Sequence, residues 1–212
     1  MTSRVERVIR GASCLAEGAE HLCSVHPRFS HALNQTGPLP LRLRKDGFPA
    51  LLDAIVSQQV SVAAADAIWG RLKTARLTGP RKILSASDEE LRACGLSRQK
   101  MRYARALAEA RISYPRLREM PMDEVFLILI EVFFNGTATA EIYAMFSLGR
   151  ADVFAPGDLA LQESARILFD MPERPTERAL RQMAEDWTPW RAVAARLLWA
   201  YYRVAKKREG IR

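Results

Sequence analysis

The chain contains 212 residues, of which 49% are hydrophobic and 26% are charged. This ordinary globular balance excludes wholesale disorder, and a chain of this length buries roughly 70% of its unfolded surface, so it needs no disulfide or metal to fold. Its 32 lysines and arginines exceed its 24 aspartates and glutamates, which gives a net charge of +8. The excess favours an anionic partner, with nucleic acid ahead of a membrane surface.

Nothing in the chain predicts a membrane span or an export signal. The longest apolar run, residues 125–134, is interrupted by Glu131 and is far shorter than the ~20 residues needed to cross a bilayer. No apolar segment follows the arginines of the first ten residues. Three cysteines do not make a disulfide scaffold. We therefore expect a cytoplasmic protein with no membrane partner.

Helical periodicity dominates almost the whole chain, and no alternating run bounded by hairpin turns predicts a sheet. One or two helices are predicted over residues 13–35, followed by an extended linker over residues 38–47. Residues 48–74 carry a broad apolar stripe that the polar cluster Ser57-Gln58-Gln59 interrupts. Ser61 is placed to cap a second helix at that interruption.

Helix-start signals continue through residues 87–118. The capping-box spacing of Ser87 and Glu90 predicts a short helix that ends at Gly95. Another helix, of about four turns, is predicted to begin at Leu96-Ser97.

The remaining helices follow the same signals. Helices are predicted over residues 123–132 and 138–148, joined by a turn around Asn135-Gly136, and then over residues 159–169. Thr176 and Thr188 are N-cap candidates, and Pro189 is placed as the first residue of a last helix that runs to about residue 208. The sequence thus predicts an all-α protein of about ten helices without internal repeats.

A basic run occupies residues 98–118, with Glu109 as its one acidic residue. Its members are Arg98, Lys100, Arg102, Arg105, Arg111, Arg116 and Arg118. Arg98, Arg102 and Arg105 share one helical face. Such runs are usually a solvated face, and the alternative is contact with phosphates.

Known metal and nucleotide motifs are missing from the sequence. Cys14, Cys23 and Cys94 are too widely spaced for zinc or an iron–sulfur cluster. His21, Cys23, His26 and His31 cluster along the chain but match no closed metal site. Walker, GxGxxG, HExxH and GxSxG motifs do not occur. We expect no metal and no cofactor, so any chemistry rests on carboxylates, aromatic rings and backbone groups.

Three segments carry a resemblance to a known family. They are LLDAIVSQQVSV (51–62), LRACGLSRQK (91–100) and LGRADVFAPGDLALQ (148–162), together with WTPWR (187–191) and Trp199. Each segment alone is weak, but the ordered set, above all Pro156-Gly157-Asp158 at a loop-to-helix junction, resembles the helix-hairpin-helix DNA glycosylases, specifically the 3-methyladenine DNA glycosylase II family. The match covers about residues 13–208. It implies one domain over residues 1–212 in two lobes, lobe A from about 1–45 and 155–212 and lobe B from about 46–154.

The resemblance implies excision of alkylated purines by cleavage of the N-glycosidic bond, as in base excision repair, with Asp158 as the catalytic residue. The chemistry agrees, because glycosidic cleavage passes through an oxocarbenium-like state that a fixed carboxylate stabilises. The alternative is that Asp158 only caps its helix, and the two roles are compatible.

Base excision also requires the target base to leave the duplex. By resemblance, Gln59, beside Gln58, is the wedge that fills the gap, and Trp199 is the aromatic surface that stacks on the base. Without the resemblance, Trp199 would be interpreted as a core residue. Tyr143 is a further candidate for base binding, and Trp187 is interpreted as structural, like Trp190.

The hairpin departs from the family pattern. Its candidate contacts to the DNA backbone are Phe134, Asn135, Gly136, Thr137, Ala138 and Thr139. In register with Thr139-Ala140, Phe134 replaces the first family glycine and Gly136 keeps the second. Ala138 stands where this family has tryptophan and bifunctional relatives have a catalytic lysine. The missing lysine argues against lyase activity, and a phenylalanine at a position that favours positive φ is strained.

Three functions therefore remain open from the sequence. The first is a monofunctional, metal-independent glycosylase that acts as a monomer on duplex DNA containing damaged bases. The second is a DNA-binding module on the same fold, with catalysis weakened or lost through the altered hairpin. The third is a protein-interaction scaffold that uses the apolar residues 125–134. The intact Asp158 and Trp199 favour the first.

Overall fold

A computed structural model describes residues 6–133 and 137–206. Within these ranges the chain forms thirteen α-helices and one short 3-10 helix, and its only pairing of extended backbone is an isolated bridge between Val8 and Arg150. The helices are α1 Ala12–Val25, α2 Pro27–Thr36, α3 Phe48–Ser57, α4 Val62–Thr74, α5 Pro80–Ser85, α6 Asp88–Ala93, α7 Arg98–Glu109, α8 Tyr114–Glu119, α9 Met122–Phe133, α10 Thr137–Phe146, α11 Leu159–Leu168, α12 Glu177–Met183 and α13 Arg191–Lys206. The predicted all-α class is confirmed.

Most of the predicted helix starts are present. The Ser61 hydroxyl accepts a hydrogen bond from Ala64 N at 3.2 Å, and Thr176 caps α12 in the same way. Ser87 and Glu90 form the reciprocal capping box, with distances of 2.7 and 3.1 Å. These short polar residues accept hydrogen bonds from amides that have no partner inside the helix, which fixes where each helix begins.

One predicted helix start was wrong. Thr188 does not cap a helix that starts at Pro189: it follows the 3-10 helix Ala184–Trp187, its peptide bond to Pro189 is cis, and α13 begins at Arg191. Proline marks turns as well as helix starts, so the signal was ambiguous. The sequence did not predict α5 and α8, of six residues each, because they are too short to show a helical period.

The chain divides into two compact units, Met1–Leu43 with Ala144–Arg212, and Arg44–Tyr143. The sequence placed the second boundary near residue 154 instead. Residues 144–154 belong with the first unit because Gly149 O accepts from Ile9 N at 2.7 Å, and Ala151 O accepts from Ala192 N at 2.9 Å.

The first unit is built around α13, which packs on α1, α2 and α11. Its residues 192–199 are all buried. Gly18 of α1 allows a close approach, since a Cβ atom there would lie 2.7 Å from Val193 Cγ2 and 2.9 Å from the Trp190 ring. The first unit therefore has its core along residues 192–199 of α13.

The second unit is built around α7, which packs on α3, α5, α6 and α9. Val125, Leu129 and Val132 of α9 are buried, whereas Leu127 is 71% exposed. Much of the apolar character of residues 125–132 thus serves the core of this unit. None of the described helices is long and apolar enough to cross a membrane.

Candidate functional site

Asp158 is the N-cap of α11 in the first unit. Its Oδ1 accepts a hydrogen bond from Leu161 N at 2.9 Å. The preceding loop is fixed by the buried Gln162, whose Nε2 donates to Pro156 O at 2.8 Å. The predicted capping role is confirmed, and it places a half-buried carboxylate at the positive end of a helix.

Trp199 of α13 is brought to the same carboxylate. Its indole Nε1 donates to Asp158 Oδ1 at 3.2 Å. The side chain is only 4% exposed and packs against Phe146, with the ring centroids 5.7 Å apart. In this structure Trp199 therefore presents its N–H edge to Asp158.

The two oxygens of the Asp158 carboxylate differ in their surroundings. Both hydrogen bonds end on Oδ1, and Oδ2 accepts none from residues 6–133 and 137–206. The two donors hold the carboxylate in one orientation through Oδ1. Oδ2, which has no donor among the described residues, is left as an unused hydrogen-bond acceptor. Such a group can stabilise positive charge that develops on a reactant close to it.

Arg196, one turn before Trp199, is a component of the site that sequence reasoning missed. It is 3% exposed, and its two terminal nitrogens donate to Ala192 O at 2.8 Å and Met145 O at 3.1 Å. Its guanidinium lies 4.6 Å above the Phe146 ring. Burial, together with the nearby Arg42, lowers the pKa of Arg196 to about 10. The signal was an arginine inside the otherwise apolar run that ends at Trp199.

The second unit contains the candidate wedge. Helix α3 ends at Ser57, Gln58 is extended, and Gln59 has a φ of 54°, in the left-handed region that non-glycine residues rarely adopt. The side chain of Gln59 is exposed. Gln58 instead donates through Nε2 to Thr139 Oγ1 at 2.8 Å, so the two glutamines have different surroundings.

The hairpin is described only in part, since Phe134, Asn135 and Gly136 lie outside the described residues. Thr137 and Ala138 are exposed in the first turn of α10. Thr139 is 9% exposed, and its hydroxyl already accepts from Gln58. Of the described hairpin candidates, Thr137 and Ala138 are therefore the accessible ones.

Tyr143 is buried in the second unit, and its hydroxyl oxygen accepts from Gly47 N at 3.2 Å. Burial is the main reason that the pKa of Tyr143 rises to about 12. The structure thus gives this candidate for base binding an internal partner.

The basic run 98–118 separates into two classes. Lys100, Arg105 and Arg118 have partners inside the unit: Lys100 donates to Val56 O, Arg105 to Ile83 O and Ala86 O, and Arg118 pairs with Asp46. The other members are exposed, namely Arg98, Arg102, Arg111 and Arg116. The helical face that Arg98, Arg102 and Arg105 share is thus only partly exposed to solvent, because Arg105 is bonded inward.

The histidines of the early cluster have separate neighbours. His21 Nε2 lies 3.0 Å from Thr188 O, His26 Nδ1 accepts from Arg28 N, and His31 is hydrogen-bonded to Gln35. Over residues 6–133 and 137–206, no three His, Cys, Asp or Glu side chains converge as a metal site would require.

The fold and this arrangement agree with a known family. The chain belongs to the HhH-GPD superfamily of base excision DNA repair proteins, whose pattern matches residues 52–189. The resemblance inferred from the three sequence segments is thereby confirmed.

Individual relatives span nearly the whole chain. DNA-3-methyladenine glycosylase 1 of Schizosaccharomyces pombe is 29% identical over 224 residues, which cover 100% of this chain and 98% of that protein. The alkylbase DNA glycosidase-like protein mag2 of the same organism is 26% identical over 200 residues, which cover 89% of this chain and 94% of the relative.

Solved structures give the same result. A 3-methyladenine DNA glycosylase from S. pombe in complex with abasic DNA superposes with a TM-score of 0.79 at 26% identity, covering 90% of this chain and 97% of that one. A DNA-3-methyladenine glycosidase from Bacillus halodurans gives a TM-score of 0.74 at 29% identity, covering 90% of each chain. The predictions of the glycosylase fold and of DNA as the partner are confirmed.

Proposed function

We propose that this protein is a monofunctional DNA glycosylase that removes alkylated purines such as 3-methyladenine from duplex DNA. The observation that carries the proposal is the Asp158 carboxylate, held through Oδ1 by Leu161 N and Trp199 Nε1 while Oδ2 accepts from no described residue. The relatives named as 3-methyladenine glycosylases support the substrate class.

The reaction breaks the bond between the sugar C1′ and the base nitrogen. An alkylated purine such as 3-methyladenine carries positive charge, so it departs with the bonding electron pair as a neutral base. Positive charge then develops on the sugar, where the Asp158 carboxylate stabilises it. Water adds to C1′ and loses a proton, which completes the hydrolysis. This sequence needs no metal and no lysine nucleophile.

The wedge and the aromatic residue have distinct parts in the proposal. The exposed Gln59, on its left-handed turn, enters the gap that the extruded base leaves. Trp199 orients Asp158 through its indole N–H, in addition to the stacking role suggested by the family resemblance. Ala138, at the position where bifunctional relatives have lysine, supports hydrolysis without strand cleavage. A monomeric state and a cytoplasmic location are part of the same proposal.

A base-release assay on methylated duplex DNA tests this function. The parent protein is expected to release 3-methyladenine and to leave an intact strand with an abasic site. Strand breakage before alkaline treatment would contradict the monofunctional assignment. Absence of any released base would contradict the glycosylase itself.

One observation favours a second function, DNA binding with little catalysis. Ala138 is exposed where this family has tryptophan, so a wall of the base pocket is reduced to a methyl group. Tight binding to a duplex with an abasic-site analogue, with no base release, would support this alternative.

A further inference from the structure

The turn that carries Gln59 begins where α3 ends, and this helix end has an unusual partner. The carbonyl of Val56, in the last turn of α3, accepts a hydrogen bond from Lys100 Nζ at 2.6 Å. Helix ends leave such carbonyls without intrahelical partners, and α3 has no basic residue in its last turn. Lys100, from α7, therefore supplies a positive charge at the negative end of α3.

Lys100 is not placed to contact a phosphate. Its side chain is 8% exposed although it belongs to a basic run. Burial lowers the pKa of Lys100, which agrees with an ammonium group that points inward. The free-energy cost of burying this group is offset by its bond to the carbonyl. That bond lies two residues before Gln58, at the start of the Gln58–Gln59 turn.

A second bond is made by the first residue of the same turn. Gln58 Nε2 donates to Thr139 Oγ1 at 2.8 Å, which ties the turn to α10. Gln59 follows directly after Gln58; it is exposed and has a φ of 54°. A non-glycine residue in this region is energetically unfavourable and persists where its surroundings hold it.

We propose that Lys100 and Thr139 are positioning residues for base extrusion, because they hold the Gln58–Gln59 turn in the conformation that presents Gln59 to the duplex. This inference rests on the proposed glycosylase function. Neither residue touches the substrate: Lys100 acts through Val56 and Thr139 acts through Gln58.

The test compares a substrate that requires extrusion with one that does not. A wedge is needed when the damaged base is stacked and paired in a duplex, and it is not needed when the base is in a single strand. The measurement is therefore the single-turnover excision rate on duplex DNA divided by the rate on the same strand alone. A change that only weakens the fold lowers both rates together.

Two variants and two controls are used. Thr139→Val removes the acceptor at nearly constant shape, and Lys100→Met removes the ammonium group while keeping a long side chain. Thr139→Ser restores a hydroxyl group. Arg105→Met is the matched control, because Arg105 also lies on α7 and donates to carbonyls at another helix end, that of α5, away from the turn.

The expected results separate these variants. Thr139→Val lowers the duplex-to-single-strand ratio by roughly 2- to 10-fold, and Lys100→Met lowers it by roughly tenfold or more. Thr139→Ser recovers most of the ratio, and Arg105→Met leaves it unchanged. If Lys100→Met does not fold, the comparison of Thr139→Val with Thr139→Ser still tests the proposal. Equal loss on both substrates in Thr139→Val would overturn the proposal.

A second readout separates this inference from the proposed function. In an Asp158→Asn background, 2-aminopurine at the target position reports unstacking by its fluorescence, without any excision. Thr139→Val is expected to reduce this signal at saturating protein. An unchanged signal would count against the wedge role even if excision occurs. A parent protein that releases no base while this signal still depends on Thr139 would refute the glycosylase proposal alone.

Discussion

Asp158 and Lys100 each place a charge at a helix end, but with opposite outcomes. Asp158 lies at the N-terminus of α11 in the first unit, and Lys100 reaches the C-terminal turn of α3 in the second. Both charges are favourable to the helix dipole. Asp158 is half-buried and its Oδ2 receives no hydrogen from the described residues, whereas the Lys100 ammonium is buried against Val56 O.

The difference shows how to separate a reactive charge from an architectural one. A helix-end charge serves the fold when its polar atoms are directed inward, as in Lys100. It is available for chemistry when an accessible polar atom remains after the helix has been capped, as in Asp158. Sequence position alone does not reveal the role of Lys100, since it lies in the first turn of α7 and reaches the end of α3 from a distance of 44 residues in the chain.

The largest effect is expected from Asp158→Asn. Asparagine caps helices about as well as aspartate, so α11 should keep its start and the thermal midpoint should change little. The charge opposing the oxocarbenium is lost, so the excision rate should fall by roughly 100- to 1,000-fold. Single-turnover excision and thermal denaturation measure the two quantities.

Asp152→Asn is the matched control for this change. It removes the same charge from the same unit, but Asp152 forms a two-bond ion pair with Arg191, at 2.7 and 2.9 Å. We expect a loss of stability with excision retained in the folded protein. Equal excision rates for Asp158→Asn and the parent would disprove the catalytic assignment.

A smaller effect is expected from Trp199→Phe. This change keeps an aromatic ring and removes the indole N–H that donates to Asp158 Oδ1. A hydrogen bond to a charged group contributes about 1.5–3 kcal/mol, so the excision rate should fall by about tenfold or more. Affinity for an abasic-site duplex should change less than the rate.

Trp187→Phe provides the comparison for Trp199. Trp187 is also buried in the first unit, where it packs on Phe29, Phe154 and Phe169. It should lower stability and leave the excision rate of the folded protein unchanged. If Trp199→Phe weakened DNA affinity and spared the rate, stacking rather than orientation of Asp158 would be its main role.

The sequence predicted the parts of the molecule that depend on local chemistry. The N-caps at Ser61, Ser87 and Thr176 were predicted because capping needs only neighbouring residues. The loop-to-helix position of Asp158 was predicted for the same reason. The contact from Trp199 to Asp158 spans 41 residues, so the pattern could indicate both residues but not their hydrogen bond.

Long-range partners account for what the sequence did not predict. Arg196 and Lys100 are buried charges that each donate to a carbonyl of another helix, and hydrophobic patterning treats a charge as exposed. Similarly, nothing local distinguishes Arg105 from Arg102 within the basic run. Their roles differ because only Arg105 reaches the end of α5.

The basic run tests the same distinction between accessible charges and charges bonded inward, with a smaller expected effect. Arg98 and Arg102 are exposed on α7, whereas Arg105 is bonded inward. If the exposed arginines contact phosphates, Arg98→Gln and Arg102→Gln should each reduce the slope of log affinity against log salt by about one. Arg105→Gln should leave that slope unchanged. Slopes equal to that of the parent in all three variants would exclude Arg98 and Arg102 from contact with phosphates.

The smallest effect is expected from Glu163→Gln. Glu163 lies on α11 beyond Asp158, and its loss should change only the free energy of unfolding. Arg166 and Lys206, at 3.0 Å each, lower the pKa of Glu163 from 4.5 to about 2. A carboxyl group with a lowered pKa in the folded state stabilises the protein above its unfolded pKa and loses that contribution as pH falls. Glu163→Gln should therefore cost roughly 0.2–1 kcal/mol at pH 7, the range for a largely solvent-screened pair.

The pH dependence distinguishes this interaction from simple packing. In urea denaturation from pH 7 to pH 3, the difference between Glu163→Gln and the parent should shrink progressively once the pH falls below about 4.5. Glu177→Gln, which breaks the single exposed pair with Arg181 at 3.1 Å, is the control for a surface ion pair on another helix. A difference at Glu163 that stays constant over this range would mean that its side chain acts by packing on α11 and α13. The excision rate should be unchanged in both variants, because a carboxylate whose oxygens are already paired stabilises the fold and takes no part in the reaction.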